Sequence, residues 1–344
     1  MTDYVVRDTQ LTSIADAIRA KGSTSAPISF PDGFVSAVQA FPDAITLDTL
    51  YVTENGVYTP SSGHAFSEVT VDVSGGGGDT DAEDGIITRM ISGSYYNSRV
   101  KQVGNYAFIS CTNLTTVNFL ACKTIGSNAF YCCNKLTAAS FPACTTIVSN
   151  AFYNCTRLAT ISFPVCMTID SNAFDNCTSL ATISFPACMT IGGNAFSNCT
   201  SLTAASFPAC TTIYSNAFYY CNKLATISFP ACKKIGSYVF YSCFSLTTIS
   251  FPVCTTIGSS AFRNCRVLLS AYFLGSSIPT LANSNAYTST PIAGYTTSTD
   301  GALGSIFVRA SLLTAFQSAT NWSFFSERIV GLTDEQIAAL DNNS

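Results

Sequence analysis

The chain has 344 residues, of which 47% are hydrophobic and only 10% charged, with a net charge of -4. No basic run or patch is present to release counterions from phosphates, which argues against nucleic acid as a partner. The apolar residues come in short runs, none near the roughly 18 to 20 that a membrane span needs, so membrane insertion is not expected.

The opening stretch, MTDYVVRDTQLTSIADAIRAKG, places acidic residues where a secretory leader has a basic region, and a helical pattern where it has a continuous apolar core. It does not read as a Sec signal peptide, and folding in a reducing cytoplasm is expected. Leu11, Ile14, Ala15 and Ile18 share one helical face and Gly22 suits the C-cap. FPDGFVSAVQAF adds a short second helix, making residues 1–45 a helical module. Residues 46–74 alternate apolar and polar side chains around Asn55-Gly56, which predicts a β-hairpin. Residues 75–85 are a Gly-rich acidic linker. The motifs LTSIADAIRAKG and TENGVYTPSSGHAFSEVTVDV resemble N-terminal modules of tail-associated proteins from phages and prophages of gut Firmicutes, over about residues 4–73. That resemblance implies that residues 1–74 dock to other tail or baseplate proteins, or oligomerise.

A 22-residue period then takes over without insertion or deletion. Leu recurs at 114, 136, 158, 180, 202, 224, 246 and 268, and the Phe of an Ala-Phe pair recurs from Phe108 to Phe262 on the same step. A second Phe recurs from Phe119 to Phe273 and Ile from Ile125 to Ile257, while Pro follows the second Phe from Pro142 to Pro252. Self-similarity of this length signals a solenoid. One coil cannot bury its apolar groups alone, whereas stacked coils share a continuous core. In the coil around Phe207, the groups expected to point inward are Phe207, Cys210, Ile213, Ala217, Phe218, Cys221, Leu224 and Ile227. About eight coils at about 4.8 Å each make a rod or arc of roughly 40 Å.

The pattern Leu-x-x-Ile-x-Phe-Pro-x-Cys-x-x-Ile-x-x-x-Ala-Phe-x-x-Cys resembles the BspA-type leucine-rich repeat, closely over residues 100–274. Phe stands for the usual second Leu of the strand, and Leu120 and Leu274 stand for Pro at the two ends. The expected fold is thus a β-rich α/β leucine-rich repeat solenoid over residues 86–274, with a small α+β N-terminal module. The resemblance implies a right-handed coil used for adhesion or recognition rather than catalysis.

Of the 16 cysteines, eight form one column from Cys111 to Cys265 and seven another from Cys122 to Cys254, leaving Cys132 over. Thiols one coil apart lie within disulfide reach, but parallel side chains suit the disulfide torsion poorly. A small buried apolar filler is the plain reading. Zinc or iron–sulfur ligation would need Cys-x-x-Cys pairs or histidine partners, and neither occurs. His64 is the only histidine, which leaves acid–base and triad chemistry without donors. Asp170 and Asp175 occupy positions that vary freely among coils. No cofactor, no metal and no enzymatic activity are expected.

Both ends of the array read as capped. A strand-like stretch at 86–91 and a degenerate coil precede the first full repeat. Residues 275–344 form the C-terminal cap: a strand in SIFVRA, a helix start at Ser311, an aromatic plug around Trp322, and a capping box of Thr333 with Gln336.

The strand face carries uniform Thr, Ala and Ser ladders, so variation concentrates after Ala-Phe. Tyr131, Tyr153, Asp175, Tyr219, Tyr220, Tyr241, Phe244 and Arg263 are the candidate ligand-binding residues, because Tyr and Arg commonly anchor proteins and sugars. The same tyrosines could instead cover the turn and pack on each other along the rod. Taken together, the two resemblances imply a non-enzymatic phage or prophage tail-tip or tail-fibre protein, assembled in the host cytoplasm and carried in the virion. Its solenoid would bind a host cell-surface protein or glycan, its N-terminus would anchor it, and a homo-oligomer is expected. A bacterial cell-surface adhesin and a structural or assembly scaffold without a ligand are the alternatives.

Overall fold

A computed structural model describes residues 50–53, 69–72, 93–295 and 302–341. In each coil the 22-residue period is spent on three sides. The first side is a short strand, such as Ala204–Ser206, which pairs in parallel with Thr182–Ser184 before it and Thr226–Ser228 after it. Eleven such strands, from Gly93–Asn97 to Ile329–Leu332, run in sheets of four, three and four. The second side is a nine-stranded parallel sheet of two-residue strands, from Gln102–Val103 to Thr280–Leu281. Its outward residue is Thr in most coils and its inward residue is Ile, as in Thr190–Ile191, which follows from the two-residue alternation of a strand.

The third side is a chain of tight turns. In one coil the Ala151 N–H donates to the Val148 carbonyl and the Cys155 N–H to the Phe152 carbonyl, each at 3.2 Å. The third residue of each turn, Asn150 or Asn154, has φ of 58° or 57°. That left-handed conformation is what Asn tolerates better than most residues. Asn128, Asn172, Asn194, Asn216, Asn176 and Asn198 repeat the arrangement. Stacking is cemented by backbone bonds to the next coil, with Asn150 N–H to Ser171 O at 3.0 Å, Phe152 N–H to Ala173 O at 2.7 Å and Asn154 N–H to Asp175 O at 2.8 Å.

Inside the prism lie the predicted columns. Phe207, Cys210, Ile213, Ala217, Phe218, Cys221 and Leu224 are fully buried, while Ile227, at the middle of its strand, is only partly covered. The two Phe columns interlock: Phe152 stacks on Phe174 at 5.1 Å and 2°, and Phe163 meets Phe174 edge-on at 6.0 Å and 70°. All 16 cysteines are free thiols.

The described residues carry the solenoid past the eight coils that the sequence suggests, because the C-terminal cap adds strands to it. Ser305–Arg309 pairs in parallel with Ser270–Phe273, and Ile329–Leu332 pairs with Ser305–Arg309. Tyr287 continues a Phe column, stacked on Phe262 at 5.3 Å. Trp322 plugs the end as expected, edge-on to Phe273 and Phe316, with its Nε1–H donating to the Pro279 carbonyl at 2.7 Å. The helix α1 (Leu313–Ser318) begins two residues after Ser311, behind a short 3₁₀ turn. The final helix α2 (Asp334–Asp341) has the predicted capping box: Thr333 N–H donates to Gln336 Oε1 at 2.8 Å and Gln336 N–H to Thr333 Oγ1 at 3.3 Å.

One expectation is corrected. Leu50–Thr53 and Val69–Asp72 pair in parallel, so they are not the two arms of a hairpin. Parallel neighbours need a long crossover rather than a two-residue turn. The Asn55-Gly56 turn, His64, the helical module at 1–45, the linker at 75–85 and the stretch at 86–91 lie outside the described residues.

Candidate functional site

The site residues stand on the turn side. Because each Phe of the Ala-Phe pair points into the core, the residue after it stands on the turn side, partly exposed except at the buried Ser197, and the backbone bonds between coils hold successive side chains in file. Tyr131, Tyr153, Asp175, Tyr219, Tyr241, Phe244 and Arg263 are half-buried, and Tyr220 is exposed.

The half-burial has a cause: the tyrosines stack. Tyr131 lies on Tyr153 at 4.9 Å and 9°, and Tyr219 on Tyr241 at 5.0 Å and 14°. Tyr220 leans on Tyr219 at 4.6 Å and lies 5.9 Å from Tyr241. Burial pushes the Tyr131 and Tyr219 hydroxyls above the usual phenol range, with neighbouring thiol and phenol groups adding to it. Arg266 sits over the Phe244 ring at 5.0 Å, a cation–π pair on the coil beyond.

The candidate residues therefore form no single site. Three coil steps, about 14 Å, separate Tyr153 from Tyr219. Asp175 and Ser197 fill the interval, and Asn198 Nδ2 donates to Asp175 Oδ1 at 3.2 Å and to Ser197 Oγ at 3.0 Å. Burial raises the Asp175 carboxyl, partly offset by hydrogen bonds from the Asn198 and Ser197 side chains and the Asn176 backbone. Arg263 follows Tyr241 in the column, one coil further on.

The structure adds a residue that sequence reasoning missed. Tyr238 lies 5.9 Å from Tyr241 and is 39% exposed, so Tyr219, Tyr220, Tyr238 and Tyr241 make one four-ring patch on two adjacent coils. Its signal was available, since Tyr238 stands in a left-handed position that is Asn in five other coils. The two cysteine columns do more than fill space. Cys177 Sγ donates to the Phe152 carbonyl of the preceding coil at 3.2 Å, and Cys188 Sγ to Thr190 O of its own coil at 3.3 Å. Burial raises the pKa of both, away from the thiolate form in which cysteine reacts.

No helix among the described residues is long and apolar enough to cross a membrane. No curated protein matches the chain. Among solved structures, a leucine-rich repeat protein from T. pallidum aligns at 27% identity over 44% of this chain and 77% of that one, with a TM-score of 0.43. One from Bacteroides ovatus aligns at 19% identity over 70% and 83%, with a TM-score of 0.29. A leucine rich cell surface protein from Faecalibacterium prausnitzii aligns at 20% identity over 61% and 81%, with a TM-score of 0.25. The BspA type leucine rich repeat region matches in six copies over residues 90–203 and 167–292, more than half of the chain, and the protein belongs to that family.

Proposed function

We propose that this chain is a non-enzymatic recognition protein, and that the four-ring patch of Tyr219, Tyr220, Tyr238 and Tyr241 is where it grips a host-surface protein or glycan. The patch carries the reading: tyrosines held in file by backbone bonds lose little freedom on binding and offer both ring faces and hydroxyls. Its finer form is a phage or prophage tail-tip or tail-fibre protein, acting outside the cell as a homo-oligomer, with residues 1–74 fastened to other tail or baseplate proteins. The resemblance of the motifs in residues 4–73 is what supports that form; a bacterial surface adhesin, which would use the same patch on a different carrier, is at least as well supported by the repeat family. Purified protein carrying Tyr219→Ser, Tyr220→Ser and Tyr241→Ser should lose adsorption to host cells while keeping its melting temperature; unchanged adsorption rejects the patch. A label on Ser344 that is absent from the tails of imaged virions would reject the phage form alone.

A further inference from the structure

The C-terminal cap holds a cavity of about 490 Å³, within the range of small-molecule sites. It lies where the 22-residue pattern has given way to three short 3₁₀ turns, Ser284–Tyr287, Pro291–Ala293 and Ser323–Arg328. Its walls are preorganised. On one side the fully buried Thr290 ties its loop down, donating from Oγ1 to Tyr287 O at 2.6 Å and accepting the Ala293 N–H at 3.2 Å. On the other, Phe325 is buried edge-on against Tyr287 at 5.3 Å, and Gln317 Nε2 donates to Ser326 O at 3.2 Å.

The lining is chemically mixed in a way no coil of the array repeats. Ile292 and Phe325 give an apolar floor, and Phe324 stands on the rim 73% exposed, an aromatic ring left to water at the mouth of a cavity. Glu327 and Arg328 line the same space and form no ion pair with any described residue. A planar guanidinium suits a carboxylate and a carboxylate suits an ammonium, so the two together suit a ligand that carries both.

We propose that this cavity binds a small zwitterion with an apolar side group, of which a free aromatic amino acid is the simplest case: ring on Phe324 and Phe325, carboxylate on Arg328, ammonium on Glu327. The proposal is independent of the tyrosine patch. Trp322, the only tryptophan, packs within the cap 6.4 Å from Tyr287 and supplies an intrinsic reporter. Titration of the full chain with L-phenylalanine should give a saturable change in Trp322 fluorescence, with saturation transfer from protein to the ligand ring. N-acetyl-phenylalanine, which lacks the ammonium, and phenethylamine, which lacks the carboxylate, should each bind about tenfold more weakly. Arg328→Gln should weaken L-phenylalanine about tenfold and Phe324→Ala should reduce the ring signal, both with an unchanged melting temperature. Tyr219→Ser should leave the titration unaltered. A titration without saturation, or equal affinity in Arg328→Gln, overturns the proposal.

Discussion

A buried thiol in this array fills a small apolar space and at the same time offers a weak donor to a carbonyl. Alanine supplies only the first of these, and serine pairs a stronger donor with a larger desolvation penalty. Cys199 Sγ, for instance, donates to Phe174 O at 3.3 Å from a fully buried position. Burial pushes Cys122 up to about 11, and Cys144, Cys188, Cys210, Cys254 and Cys265 up to about 12, from an ordinary 9.0. The sign follows directly. Above the ordinary value the unfolded chain has released these protons while the native chain still holds them, so stability falls as pH rises. It is fully present below about pH 9, and each thiol removes about 1.4 kcal/mol per pH unit until its folded value is reached. The urea midpoint of the array should therefore be level between about pH 7 and 8 and drop steeply from about pH 9 to 10. A midpoint that holds through about pH 10 would show that the thiols are not held protonated by burial.

At the scale of one element, the Phe column shows how the repeat tolerates exceptions. Tyr287 takes the place of a ninth ring after Phe262, fully buried, and its hydroxyl has no hydrogen-bond partner among the described residues. A buried hydroxyl without a partner costs about 1 to 3 kcal/mol. Tyr287→Phe should thus stabilise the chain by about 1 kcal/mol, read as a higher urea midpoint with unchanged slope; a lower midpoint would mean that the hydroxyl is satisfied after all. How far each element is legible in the sequence follows from the same periodicity. Leu, Phe, Ile and Cys positions repeat because the core selects them, so their burial could be read from the 22-residue step alone. The cap strand in SIFVRA was legible from its alternation, but its parallel pairing onto Ser270–Phe273 was not, because the long connection before it hides the period. The parallel pairing of Leu50–Thr53 with Val69–Asp72 was hidden for a related reason: alternation marks a strand, but not the direction of its partner. The tyrosine column could be found, since it varies while its neighbours do not. Its division into a pair and a four-ring patch depends on lateral packing from Tyr220 and Tyr238, which a single column does not reveal.

Across the whole molecule, each coil touches only its two neighbours, so stability behaves as a sum of coil terms and interface terms along one dimension. A lesion should then act according to its place in the stack. Phe174 is fully buried midway, stacked between Phe152 at 5.1 Å and Phe196 at 5.2 Å, so Phe174→Ala should cost about 3 to 5 kcal/mol. It weakens interfaces on both sides and should lower the melting temperature of the array as a whole. Trp322 closes one end only, through its contacts with Phe273, Phe316 and Tyr287 and its bond to Pro279. Trp322→Ala should leave the centre intact and let the C-terminal coils fray. Native-state hydrogen exchange separates the two outcomes strand by strand. In Trp322→Ala, protection should be lost first at Thr280–Leu281 and Thr256–Ile257 and be retained at Thr146–Ile147 and Thr168–Ile169. Equal loss along all nine strands of that sheet would mean that the array opens as one unit, and the neighbour-by-neighbour account of its stability would fail.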